Sequence, residues 1–200
     1  MDIDDDSNSV FKRREPFTFM MYLAIFGSSL LFLFILFVFL KKEFDNQNIR
    51  VPLLPIFWIS TLFILASSAS ISWANRVFKN QKFSLYRISI SLTLLLGFLF
   101  LAAQLLGWQQ LFDANITMAN DTGGSFIYIL SGLHIIHTAG GVIALIVAVV
   151  DAWRNRKYVD SFVYSVNPPN QLRLKLISIY WHFVDVLWLI LFLFLAYHAV

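Results

Sequence analysis

The chain has 200 residues, 58% of them hydrophobic and only 14% charged, with a mean hydropathy of +0.70. Soluble domains run near 45–50% apolar and about 25% charged, so this composition excludes an ordinary soluble enzyme and points to a polytopic membrane protein. The formal charge of +3 would suit nucleic acid, but the basic residues are confined to short segments between apolar blocks, which a membrane explains and nucleic acid does not. With no cysteine there can be no disulfide, no cysteine-ligated iron–sulfur cluster and no thiolate zinc site.

Residues 1–16, "MDIDDDSNSVFKRREP", are acidic where a secretory leader is basic, and are expected to form a mobile tail. Five apolar blocks then follow within residues 17–200, each long enough to cross about 30 Å of hydrocarbon as a helix of roughly 20 residues. They run over 17–40, 53–75, 86–110, 125–150 and 174–198. Their continuous character argues for an all-α bundle and against an alternating β-barrel. The Phe-rich first block reads as lipid-facing bulk. "SSASISWA" in the second is a small-residue packing face, and "NPPN" at 167–170 breaks the chain before the fifth. Trp73, Trp108, Trp153 and Tyr86 lie near block ends, where interfacial aromatic belts form.

The 15 Lys and Arg residues divide twelve to three. Lys12, Arg13, Arg14, Arg76, Lys79, Lys82, Arg87, Arg154, Arg156, Lys157, Arg173 and Lys175 fall on one side; Lys41, Lys42 and Arg50 fall on the other. The positive-inside rule then places the N-terminus in the cytoplasm and the C-terminus outside. Asn115 and Asn120 carry N-x-T matches, short enough to arise by chance. No nucleotide-binding or nucleophile motif occurs, and no internal repeat supports an inverted-repeat transporter.

Ionisable residues inside a membrane are costly, so each is a functional candidate. Here they are His134 and His137 in block four and His182 and Asp185 in block five, each pair spaced i,i+3 on one helical face. Ser131, His134, Thr138 and Gly141 form a small, polar stripe, with Gly132 and Gly140 beside it, suited to close helix packing. At 1.5 Å per residue, roughly 14 Å from one face for His134 and for Asp185 from the other, the four residues fall in one overlapping layer. The expectation is that blocks four and five pack antiparallel and share a buried His–Asp hydrogen-bond cluster that fixes packing. Histidines on two helices could also hold a b-type haem, three or more ligands a metal, and a longer polar chain a proton route. Packing is the reading favoured here, with no catalytic, cofactor or metal role.

"GSFIYILSGLHIIHTAGG" resembles the G-x-H-x-x-H helix of haem–copper oxidase subunit III, and "YWHFVDVLWLILFLFLAY" resembles the last helix of that family. Tyr180, Trp181, His182, Phe183, Val184, Asp185 and Trp188 match the Y-W-H-F-V-D-x-x-W signature. The resemblance spans about Met20 to the C-terminus and implies the five-helix bacterial form, in the cytoplasmic (inner) membrane. It further implies an accessory subunit without haem or copper, whose partner subunits I and II carry the redox centres. Such a subunit packs on subunit I beside subunits II and IV, possesses bound phospholipid, supports proton uptake and complex stability, and can enter a larger respiratory supercomplex. A cytochrome c oxidase is the leading reading; a quinol oxidase, and a b-haem membrane anchor, are the alternatives. The sequence departs from the family in two places. The family's buried glutamate in the first helix is absent, with Ser28 or Ser29 in "GSSLLF" at its place, and Gln104 is followed by "LLGW" rather than an acid.

Overall fold

The structure, a computed structural model, describes residues 14–45, 54–118, 122–154 and 158–199. All regular structure among them is helical: α1 (Arg14–Asp45), α2 (Pro55–Lys79), α3 (Phe83–Asp113), α4 (Thr122–Arg154), α5 (Tyr158–Val166) and α6 (Pro168–Tyr197). All but α5 are long and apolar enough to cross a membrane. The 33 residues of α4 span about 50 Å at 1.5 Å per residue, so the long helices overrun a hydrocarbon core of about 30 Å by several turns. That is why they extend beyond the apolar blocks: backbone hydrogen bonding continues into the headgroup layer after the apolar residues stop.

Local chemistry sets the helix ends. Pro55 and Pro168 open α2 and α6, where a missing N–H costs nothing. A tight turn joins α2 to α3, in which Gln81 adopts a left-handed φ of 58° and Lys82 N–H donates to Val77 O at 2.9 Å. The nine-residue α5 is not anticipated by the sequence, because its amphipathic run YVDSFVYSV is far too short to register as a span. Arg87 of α3 donates to its Ser161 (3.1 Å), and Gln171 of α6 donates to the Ser165 carbonyl (2.7 Å).

Helix α6 is the hub of the bundle. It packs against α1, α2, α4 and α5, while α2 with α3 and α3 with α4 complete the ring. Trp181, Trp188 and Leu191 are essentially fully buried on it. Helix α1 is peripheral. It buries one stripe, Phe32, Leu36 and Phe39, and leaves Phe17, Phe19, Phe26, Phe34 and Phe37 more than 60% exposed. Apolar surface of this kind is at home in lipid and gains nothing by turning inward.

The starts of α1, α3 and α6 meet the ends of α2 and α4 at one end of the bundle, which also carries α5. Arg76, Lys79, Lys82, Arg87, Arg154, Arg173 and Lys175 lie at this basic end, and Lys41 and Lys42 at the other. Lys12, Arg13, Arg50, Arg156, Lys157 and Asn120 fall outside the described residues, as does most of the tail. Of the aromatic residues assigned to an interfacial belt, Trp73 and Trp153 are about half exposed. Tyr86 is instead buried in the core against Phe78, and Trp108 turns its N–H inward to Ser131 of α4 (2.9 Å). Both rings have a polar group to satisfy and a neighbouring helix near enough to do so.

Candidate functional site

Two tryptophans of α6 tie the bundle together. Trp181 lies between glycines of two other helices. A Cβ at Gly97 of α3 would stand 2.8 Å from its ring, and one at Gly141 of α4 would stand 3.0 Å away. Its indole N–H donates to Ser67 Oγ of α2 at 3.0 Å. One side chain thus contacts three helices through ring faces and a directed hydrogen bond. About two turns further along, Trp188 donates to Thr61 Oγ1 of α2 at 3.0 Å and packs edge-on against Phe100 of α3 and obliquely on His134 of α4. Adding a methyl at Gly97 forces a fully buried ring to move. Gly97→Ala is expected to cost about 1–3 kcal/mol, read as a fall in the thermal midpoint of the solubilised protein.

The histidines each have two ring nitrogens to satisfy, and the acceptors around them fix the tautomers. His134 is fully buried, and its Nε2–H donates to the Val184 carbonyl of α6 at 3.1 Å, leaving Nδ1 to face Thr138 Oγ1 at 3.4 Å. His137 Nδ1–H donates to Leu133 O at 2.8 Å, and Nε2 accepts from Ser28 Oγ of α1 at 3.1 Å. Ser29, by contrast, bonds its own helix at the Ile25 carbonyl, so Ser28 is the serine that faces the site. His182 lies against α2. Ser72 donates its proton to the Ser68 carbonyl, so His182 Nε2–H donates to Ser72 Oγ at 3.3 Å, and Nδ1 accepts from Ser68 Oγ at 2.9 Å. Five of the six ring nitrogens of the three histidines are thus hydrogen-bonded within the protein; His134 Nδ1 only faces Thr138 Oγ1, whose proton goes to the His134 carbonyl.

Asp185 is 2% exposed and neither carboxylate oxygen makes a hydrogen bond of good geometry to a described residue; the Ser68 hydroxyl lies beside it but is directed to His182 Nδ1. Oδ2 lies 3.9 Å from His182 Nδ1, which already accepts from Ser68, so the two face each other acceptor to acceptor.

The expected shared cluster is therefore corrected. Helices α4 and α6 do pack together, and His134 does bond across to α6, but to the Val184 backbone. Among the described residues no hydrogen bond joins Asp185 to His134 or His137. The four residues divide instead: His134 to α6, His137 to α1, and His182 with Asp185 to α2. Helical spacing shows which residues share a face, not which neighbour that face meets.

The remaining stripe residues sit at close approaches. Ser131 receives the Trp108 N–H and bonds the Ile127 carbonyl, Thr138 bonds the His134 carbonyl, Gly132 lies under the Trp108 ring, and Gly140 lies by the Tyr180 hydroxyl. Tyr180 O–H donates to the His137 carbonyl at 2.9 Å. Sequence reasoning missed the α2 side of the site, namely Thr61, Ser67, Ser68 and Ser72. The hydroxyls of Ser67, Ser68 and Ser72, spaced i,i+1 and i,i+4, were visible in "SSASISWA", where smallness drew attention away from hydrogen-bonding capacity; Thr61 lies outside that stretch.

Residues 10–200 match the family described as Cytochrome c oxidase subunit III. This chain belongs to that family. Relatives named cytochrome c oxidase subunit 3 include one from Corynebacterium diphtheriae, 27% identical over 141 residues, which are 70% of this chain and 63% of the relative. Another, from Gadus morhua, is 31% identical over 144 residues, 72% of this chain and 49% of the relative. A third, from Papio hamadryas, is 28% identical over 145 residues, 72% and 49%. The aligned part thus spans about half the length of the vertebrate relatives. As a subunit III, the chain is a multi-pass membrane protein of a respiratory oxidase family, and its Tyr180–Trp188 signature is the hub just described. Among the described residues no group of three His, Asp or Glu side chains is placed to hold a metal ion, and five of the six ring nitrogens of His134, His137 and His182 are taken up in hydrogen bonds within the protein.

Proposed function

We propose that this chain is the accessory subunit III of a bacterial haem–copper terminal oxidase of the cytochrome c-oxidising type, with no catalytic step of its own. It would sit in the cytoplasmic membrane with its basic end, and so its N-terminus, toward the cytoplasm, as the positive-inside rule directs. It would pack on subunit I beside subunit II, and in some assemblies subunit IV or a supercomplex. Haem and copper would belong to those partners, and this chain would bind phospholipid, support proton uptake and stabilise the complex.

One observation carries the reading: the family's signature residues are used to hold helices together. Trp181 and Trp188 bond α2 and wedge against α3 and α4, and the histidines close their hydrogen bonds on neighbouring helices. Side chains so committed suit a rigid platform. The broad exposed Phe face of α1 is surface that lipid or a larger subunit can cover.

The test is a visible spectrum with metal analysis on the tagged chain, purified gently and again after its partners are stripped. Haem and copper should accompany the gentle preparation and leave with the partners. A b-type haem retained by the stripped chain would instead support the membrane-anchor alternative. A co-purifying subunit without a copper centre, together with quinol-driven turnover, would favour the quinol oxidase.

A further inference from the structure

A cavity of about 540 Å³ opens at the basic end, between the end of α2, the start of α6 and the overlying α5. That volume is in the range of sites that hold small molecules, about 300–1,000 Å³. Its lining is divided by chemistry. Lys79 and Lys175 supply two ammonium groups, while Phe78, Leu174 and Ile179 supply apolar wall. Asn75 and Ser178, which bond each other at 2.6 Å, lie deeper, with His182. Among the described residues neither lysine has an ion-pair partner, in contrast to Arg173, which pairs with Asp151 at 2.6 Å.

We propose that this cavity holds the headgroup of one anionic phospholipid, with its phosphate between Lys79 and Lys175. Two unpaired cations beside a concave polar patch favour an anion. Their place at the ends of two membrane-spanning helices puts them at headgroup depth. Basic pockets between such helices on the cytoplasmic side are where acidic headgroups are held. Free phosphate would leave the apolar walls without an occupant. A lipid fills them: Ile179 lies one turn further into the membrane than Lys175 and starts an apolar path for an acyl chain, while a second groove sharing Gln171 and Lys175 continues at headgroup depth along the start of α1. The inference rests on the proposal that the chain binds phospholipid with its basic end toward the cytoplasm, and names the site and the headgroup class.

The test uses the full complex purified through this chain, exchanged into nanodiscs of phosphatidylcholine with a small fraction of phosphatidylglycerol. Native mass spectrometry then counts the anionic lipid kept after release. With about fivefold in affinity for each lysine, the double variant Lys79→Gln/Lys175→Gln is expected to hold that lipid about 25-fold more weakly. Lys79→Arg/Lys175→Arg, which keeps both charges, should retain it, and Lys41→Gln/Lys42→Gln at the other end should be without effect. Excess inorganic phosphate should not displace it; displacement would assign the cavity to a free anion. Equal retention by the wild type and the double glutamine variant would overturn the proposal, as would equal occupancy in pure phosphatidylcholine. Neither result bears on the oxidase assignment, which the haem and copper content of the same preparation reads independently.

Discussion

Trp181→Ala is expected to be the most damaging single substitution in the chain, lowering stability by about 3–5 kcal/mol. The indole is fully buried and meets α2 through Ser67, α3 at Gly97 and α4 at Gly141. Within lipid there is little hydrophobic gain in bringing helices together, so cohesion rests on close packing and directed hydrogen bonds, and Trp181 supplies both. The two glycines make the loss worse. They leave no side chain that could lean into the space, so the cavity would persist unless the backbones moved. Ser67 is not stranded by the change, because its hydroxyl also donates to the Ile64 carbonyl at 2.8 Å, so the cost is mainly one of packing. The measurement is detergent or thermal denaturation of the purified subunit, with retention in the oxidase as a second readout. Trp181→Phe, which refills part of the cavity but drops the hydrogen bond, should recover a good part of the loss. A Trp181→Ala variant as stable as wild type would remove α6 from its place as hub.

Much of this architecture was legible in the sequence because a bilayer imposes hard requirements on it. A span needs about 20 apolar residues whose backbone bonds close internally, and five such blocks became five helices. The signature in the last block was legible too, since Tyr180, Trp181, His182, Asp185 and Trp188 are unusual company in a membrane. What the sequence could not convey was who meets whom. In a soluble helix, polarity marks the outward face. In a lipid-bathed helix both faces are apolar, and α1 shows no periodic sign that Phe32, Leu36 and Phe39 are the buried stripe. The same gap misassigned the histidines. His182 looked like a partner for block four because both lay at similar depth, but depth has no azimuth, and the serines of α2 were on the side it faced. Short α5 escaped because a search for spans of about 20 residues passes over a nine-residue amphipathic run, YVDSFVYSV.

Asp185→Asn is expected to stabilise the protein by about 1–3 kcal/mol, because a buried carboxylate without a cation or a directed donor costs more than a neutral amide in the same place. Had Asp185 joined the histidines of α4 in one network, removing its charge would strand an imidazole, and losing one member of a buried pair costs about 3–5 kcal/mol. The geometry reverses that sign. Neither carboxylate oxygen makes a hydrogen bond of good geometry to a described residue. The nearest ring nitrogen, His182 Nδ1 at 3.9 Å, already accepts from Ser68 and offers no proton. His182 therefore keeps both of its serine partners when the carboxylate goes. Asparagine has nearly the same shape and carries no charge, so the substitution removes a buried charge without leaving a hole. A raised unfolding midpoint, with the subunit still co-purifying after prolonged washing, is the expected result. A fall of several kcal/mol would show that the carboxylate has a strong partner in the assembled protein and that α2 and α6 are held together through it. On the expected outcome, Asp185, the one buried acid among the described residues, is held at a cost to stability, and its worth must be sought in turnover of the assembled oxidase rather than in helix packing.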